Sequence, residues 1–287
     1  MNRRETAIRS DIIGTLIGEF AGSVYYADAR PIIGRAGSFG SKRYSYRVVG
    51  STNDVAAELA RAGAPEGTLV TAETQTMGQG RLDRVWQSPE GKGLWFSLIL
   101  RPAVETACAS QVTLMAAVAL TEAINSFTGL RSGIKWPNDL LINGKKFCGI
   151  LTEMRTSQEG DIDYIILGIG LNVNLDENDF NRELRPTATS LSMELGRSVD
   201  RLALLQRILF CLEVWHERWQ REGFYTVRKA WKKRNVTLGR QVHVNSIDEE
   251  YDGRAIDIAP DGSLLVLNRT GQLQTLNAGE VSLKRAV

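Results

Sequence analysis

The chain is 287 residues long, 43% hydrophobic and 24% charged, and its 35 Lys+Arg against 33 Asp+Glu leave a net charge of +2. That length suggests roughly two domains. The composition excludes a disordered or collagen-like chain and a single-sign charged tail, and so mild a charge gives no ground for wholesale nucleic-acid binding. Cys108, Cys148 and Cys211 lie far apart with no CxxC, which suits reduced thiols in a cytoplasmic protein and argues against a disulfide scaffold or zinc ribbon. Two histidines, His216 and His243, cannot support metal or triad chemistry built on several histidines, so no protein-held metal is expected. No apolar stretch follows Arg3–Arg4 as a signal peptide would require. The longest apolar run, around 112–120, falls far short of the roughly 18 residues a membrane span needs.

In chain order, residues 1–42 read as a short helix or strand pair that leads into the glycine-rich stretch 34–40. Tyr44, Tyr46 and Val48 alternate as a strand. Ser51–Thr52–Asn53 then opens a helix that Gly63 closes. Residues 68–74 and 94–100 read as strands, and the second is apolar throughout. Between them, 78–84 is a polar loop. An Ala-rich helix is expected over 109–127. Strands follow at 134–136, 139–142, 147–153 and 164–173, with Asn143–Gly144 as a hairpin turn. Asp200 caps a second long helix, in which Leu205, Leu209, Leu212, Trp215 and Trp219 recur at helical steps, and a shorter helix ends near Arg234. Beyond Asn235, strands at 242–244, 251–258, 264–267 and 273–276 alternate with tight turns, the pattern of a small barrel. The expected division is an N-terminal segment 1–42, a mixed α/β domain 43–234 and a small β domain 235–287. The last carries five basic groups against seven acidic ones, a poor match for nucleic acid.

Common nucleotide and hydrolase motifs are absent: there is no GxxxxGK[ST], GxSxG or HExxH, and neither Gly78–Gln79–Gly80 nor Gly168–Ile169–Gly170 completes the dinucleotide fingerprint. Three constellations remain. In the first, Gly78 and Gly80 bracket Gln79, so that backbone can approach a ligand closely. Arg81 and Arg84 follow with guanidinium forks suited to phosphate, and Trp86 offers a flat face. The alternative is a solvated turn with two arginines. The second runs Lys135–Trp136–Pro137–Asn138–Asp139 to Lys146 and Gly149. A lysine at a strand start can reach into a pocket at the sheet mouth, or lie in solvent. The third is Asn172, at the end of an apolar strand: a ligand contact or a satisfied strand-end amide. Ser51 and Thr52 read either as helix caps or as polar groups at a helix N-terminus that meets a ligand.

Taken together and in order, Val49–Gly50–Ser51–Thr52–Asn53, Gly78–Gln79–Gly80–Arg81, Lys135–Trp136–Pro137–Asn138–Asp139, Gly168–Ile169–Gly170–Leu171–Asn172 and Ala188–Thr189–Ser190–Leu191 closely resemble the biotin protein ligase family over residues 43–287. The resemblance implies a mixed sheet flanked by helices, like the class II aminoacyl-synthetase catalytic domain, plus a small C-terminal SH3-like barrel. It implies that biotin is activated with Mg-ATP to biotinyl-5′-AMP and passed to a lysine of a biotin carboxyl carrier domain. It places Ser51, Thr52, Asn53 and Gln75 at the biotin head, with Gly78, Gln79, Gly80, Arg81, Lys146 and Gly149 around biotin and the acyl phosphate. Arg81 and Lys146 are then the catalytic cations, and Arg81, Arg84, Trp86, Lys135 and Asn172 lie on the nucleotide side. Asp139 supports the phosphate and carrier-lysine side. ATP, Mg2+ and biotin are the small molecules implied, and the 77–86 loop should order when ligand binds.

Many relatives have arginine where this chain has Gln79, which removes one charge from the loop. Only about 42 residues precede the first catalytic strand, too few for a DNA-binding winged helix, so nucleic acid is not an expected partner. Family members are monomers or sheet-edge dimers, which leaves a homodimer open. The alternatives are a lipoate ligase of the same fold and a biotin-responsive transcriptional repressor. Arg218, Arg221, Arg228, Lys229, Lys232, Lys233 and Arg234 form a basic cluster, either a solvated helix face or a landing site for an acidic carrier.

Overall fold

A computed structural model describes residues 39–246, 249–277 and 279–284. The helix or strand pair expected near the N-terminus therefore lies largely outside the described residues. Seven strands form the main sheet: β1 (Arg43–Val49), β2 (Leu69–Gln75), β3 (Gly93–Leu100), β4 (Gly133–Lys135), β5 (Asp139–Ile142), β6 (Lys145–Thr156) and β7 (Ile162–Asn172). Their order is β1-β2-β3-β7-β6-β5-β4. β1 and β2 run parallel, so a crossover must join them. Helix α1 (Thr52–Arg61) supplies it, and Ser51 caps that helix by accepting from the Asn53 N–H. Every side chain of β3 is buried because helices cover both faces of the sheet centre.

On one face, Val55, Ala56 and Leu59 of α1 pack with Val70, Ala72 and Ile166. Helix α2 (Ala109–Thr128) lies in the larger core on the other face and closes on Gly129, whose φ of 76° needs no Cβ. As a helix rather than an unbroken apolar run, 106–128 is long and apolar enough to cross a membrane, unlike the 112–120 stretch read from sequence. Of its apolar window, 67% is buried inside the protein, which makes it a core helix. Helices α3 (Leu191–Leu195), α4 (Arg201–Glu222) and α5 (Phe224–Arg234) follow. The Asp200 carboxylate caps α4, accepting from the N–H groups of Leu202 and Ala203.

The second sheet is all antiparallel, in the order β11-β10-β9-β8-β12. Its strands are β8 (Gln241–Asn245), β9 (Glu250–Ile258), β10 (Leu264–Asn268), β11 (Leu273–Leu276) and β12 (Glu280–Leu283). β12 and α3 were not read from sequence. Val242, Val244, Ile258, Leu264 and Val266 join the same continuous core as α2 and α4. Polar ties reinforce that docking. The Trp136 indole N–H donates to the Gly262 carbonyl at 3.1 Å, and Arg228 and Lys232 hold Asp257.

His216, on α4, is 2% exposed and sits against the rings of Phe39 and Trp219. The basic cluster stays at the surface, with Arg218, Arg221, Lys229, Lys232 and Lys233 exposed, and most of its cations have acidic partners in the same molecule. Arg228 and Lys232 pair with Asp257, Arg234 with Glu122, and Arg218 and Arg221 with Glu222.

Candidate active site

Two cavities meet over the ends of β6 and β7. The smaller is lined by Ser51, Thr52, Asn53, Gln75, Gln79, Gly149 and both glycines of Gly168–Ile169–Gly170. The larger is an open cleft between the main sheet and β12. Arg84, Lys135, Asp139 and Asn172 line it, together with the apolar Leu175, Phe180, Leu184 and Ala188. Gly80, Arg81, Trp86, Asn138 and Lys146 line both.

The small cavity exists because three strand glycines lack side chains. A Cβ on Gly170 would stand 2.4 Å from the Trp86 ring, and one on Gly149 2.9 Å from it. A Cβ on Gly168 would stand 2.1 Å from Asn53 Oδ1. Trp86 therefore lies down on the paired strands and forms the partition between the cavities. Lys146 Nζ is 5.3 Å from its ring centroid, and Trp95 meets it edge-on. The wall behind the small cavity is polar. The Thr52 N–H donates to Gln75 Oε1 at 2.8 Å, and Gln75 Nε2 donates to Ser88 Oγ at 3.0 Å.

Lys146 is fixed from two directions. Its backbone N–H donates to the Thr187 carbonyl and its carbonyl accepts from the Thr189 N–H. Its ammonium is 2.6 Å from Asp139, which also faces Lys135 at 3.7 Å. Arg81 reaches the junction from the opposite side. Its guanidinium donates to Asn138 Oδ1 at 3.3 Å and to the Gly279 carbonyl at 3.0 Å. Burial holds Arg81 below its usual pKa, against the opposing pull of Asp139 and Glu280. Arg84 pairs with Glu280 at 2.5 Å, so β12 and the residue just before it hold both loop arginines. The loop itself is a tight hairpin. Gln79 bridges Val85, the Gly80 N–H donates to the Arg84 carbonyl, and Leu82 and Asp83 at the tip have φ of 55° and 57°.

The sequence-derived residues thus gather at one place, with differences in detail. Gly78 lines neither cavity. It lets the hairpin arms close, since a Cβ there would be 2.3 Å from the Trp86 carbonyl. Asn172 is buried, lines the large cleft and donates one amide N–H to the Thr189 carbonyl at 3.1 Å, which leaves its other N–H and its Oδ1 for a ligand. The Cys148 thiol is buried and its pKa is pushed far up by desolvation, which removes it as a nucleophile. Sequence reasoning missed Ser97, Glu153, Phe180 and Glu280. Ser97 is the lone polar side chain of β3, and Glu153 lies two strand steps beyond Leu151 on the face that starts at Gly149. Phe180 and Glu280 come from distant segments and carried no local signal.

Comparison with known proteins agrees with this arrangement. Residues 45–172 match the Biotin/lipoate A/B protein ligase family, and residues 237–284 match the Biotin protein ligase C terminal domain. The bifunctional ligase/repressor BirA of Bacillus subtilis is 44% identical over 224 residues, 78% of this chain and 69% of that protein. The biotin–[acetyl-CoA-carboxylase] ligase of Paracoccus denitrificans is 34% identical over 236 residues, 80% of this chain and 96% of that protein. Among solved structures, the biotin protein ligase from Aquifex aeolicus in complex with biotin and ATP superposes with a TM-score of 0.73 at 29% identity, covering 85% of this chain and 99% of that one. The chain belongs to the biotin protein ligase family.

Proposed function

We propose that this enzyme is an ATP-dependent biotin protein ligase that forms biotinyl-5′-AMP and passes the biotinyl group to a carrier lysine. The observation that carries the reading is the convergence of Arg81 and Lys146 where a small polar-walled cavity opens into a wide cleft. Activation must bring a carboxylate against a phosphate, two anions that repel, and preorganised positive charge aimed at both is the largest catalytic lever for such a step. In the first step a biotin carboxylate oxygen attacks the α-phosphorus and pyrophosphate leaves. In the second a neutral lysine amine attacks the mixed anhydride carbonyl, the carbonyl–oxygen bond to the phosphate breaks, and the amine's proton passes to the leaving AMP phosphate or to solvent. Asp139 lies beside both lysines at that point.

The small cavity favours biotin over lipoate. Its hydroxyls and amides can satisfy a cyclic urea with two N–H groups and one carbonyl, whereas a dithiolane would leave them unpaired. The apolar set Leu175, Phe180, Leu184 and Ala188 gives the large cleft a surface for the nucleotide base. Magnesium fits as a companion of the triphosphate. Among the described residues no cluster of three His, Cys, Asp or Glu could hold a metal, and Asp139 and Glu280 are paired with cations.

The acceptor we assign is a biotin carboxyl carrier domain, and we place the reaction in the cytoplasm. Assay with radiolabelled biotin, ATP and a carrier domain, with lipoate as control, tests the reading. Labelled carrier that depends on ATP supports it, and lipoylation without biotinylation overturns it. A biotin-dependent gel shift with promoter DNA would add the repressor activity that we do not assign here.

A further inference from the structure

A chain of hydrogen bonds runs behind the small cavity and ends at a carboxylate that the mechanism above does not use. Asn53 Nδ2 donates to Glu153 Oε2 at 2.5 Å. Ser97 Oγ lies 2.6 Å from Asn53 Oδ1 and 2.8 Å from Thr52 Oγ1. Thr52 Oγ1 lies 3.1 Å from Gln75 Oε1. Ser97, Thr52 and Asn53 are all buried, while Glu153 is exposed at the far end.

The chain has a direction, and Glu153 sets it. A carboxylate can only accept, so the Asn53 amide must turn its NH2 toward Glu153 and its oxygen toward Ser97. Ser97 has one hydroxyl proton and two oxygens within reach. The shorter contact, to Asn53 Oδ1, takes it. Ser97 Oγ is then left as an acceptor beside Thr52. The Thr52 proton is used inside the wall, toward Ser97 or toward Gln75, and Thr52 meets the cavity with free lone pairs. If the amide turned over, Asn53 would donate to Ser97 and Ser97 would donate to Thr52, filling one of its two lone pairs and halving what Thr52 offers a ligand N–H. Gly168 makes room for the arrangement, since a Cβ there would collide with Asn53 Oδ1.

We infer that Glu153 is a positioning residue for biotin: through Asn53 and Ser97 it fixes the Thr52 hydroxyl as an acceptor for a urea N–H. The inference rests on the biotin reading above and adds a specificity-determining residue outside the cavity. Biotin affinity by calorimetry, and adenylation kinetics, test it on the full chain. Glu153→Leu removes the acceptor and should raise the biotin Kd and KM about tenfold, the order of one lost hydrogen bond, with kcat and the ATP KM within about twofold. Glu153→Gln keeps an acceptor oxygen and should stay within about threefold of wild type. Asn53→Asp alone sets two carboxylates face to face and should bind biotin poorly. Asn53→Asp with Glu153→Gln should recover much of the loss, because the amide now donates from position 153 and Ser97 still donates to position 53. An E153L enzyme with wild-type biotin affinity, or a double variant no better than N53D, would overturn the relay and leave the ligase reading intact. A wild-type protein that binds no biotin would overturn both.

Discussion

Three missing side chains and two cations define the site at the scale of single residues. Lys146 faces the junction of the cavities with Asp139 at 2.6 Å. Replacing Lys146 with Met should lower the adenylation rate about a hundredfold, roughly 3 kcal/mol, while leaving the fold intact, as pyrophosphate-release kinetics and thermal melts would show together. Gly170→Ala should displace Trp86, because the new methyl falls 2.4 Å from its ring. The expected cost is about 1–3 kcal/mol of stability, read by urea unfolding, together with a weaker grip on biotin. His216 makes a prediction about pH. Burial lowers its pKa below the ordinary 6.5, opposed by Glu66 and Glu217, and its Nε2 has Glu66 Oε1 at 3.5 Å but no hydrogen bond. The unfolded chain therefore takes up this proton first, so stability should decline as pH falls below about 6.5. His216→Phe, which keeps a ring between Phe39 and Trp219, should flatten that part of a stability–pH profile.

At the scale of elements, the 78–86 hairpin is the part under tension. Its tip holds two non-glycine residues, Leu82 and Asp83, in the left-handed region, which costs an L-residue on the order of 1 kcal/mol or more. Met77, Leu82 and Val85 are exposed along it. Such an element closes readily only when something beneath it contributes. We expect the 77–86 amides to gain exchange protection with biotin and ATP. Asp83→Gly should relieve about 1 kcal/mol, protect those amides before ligand is added, and slow release of the adenylate measured by filter binding. This element shows how far local patterns reach. The glycines, the arginines and Trp86 were legible as one contiguous loop. Its hairpin form was not, because φ values at Leu82 and Asp83 are imposed by the arms rather than preferred by either residue. The four-residue strand β12 was hidden for a similar reason: its pairing with β8 and its hold on Arg84, not its own propensity, make it a strand.

Over the whole molecule, the small sheet acts as a wall of the active site. Gly279 and Glu280 hold Arg81 and Arg84, so the 78–86 hairpin is braced by residues almost two hundred positions away. The docking that carries them relies on the shared apolar core and on Asp257, gripped by Arg228 and Lys232. Asp257→Ala should take the carboxylate from both cations, leaving Arg228 the Ile258 carbonyl alone, and loosen that seat. The expected result is a melting temperature a few degrees lower and slower adenylation with a larger dependence on salt. Calorimetry and rates measured across ionic strength would show whether the two effects move together.

The sequence by itself determined the elements and the inventory of chemistry. Periodic apolar residues, capping side chains and the Asn143–Gly144 turn act over a few neighbours, so the long helices and most strands follow from local rules. The glycines and cations of the site stood out because their motifs are short and contiguous. Tertiary structure decided which of those groups face one another. Asn172 ties the cleft wall to the Thr189 carbonyl, the basic helix face finds acidic partners, and His216 is carried indoors, while Glu153, Ser97 and Glu280 become neighbours of the site. Hydrogen bonds and ion pairs act over a few ångströms in space whatever the separation along the chain, and only the folded arrangement fixes those distances.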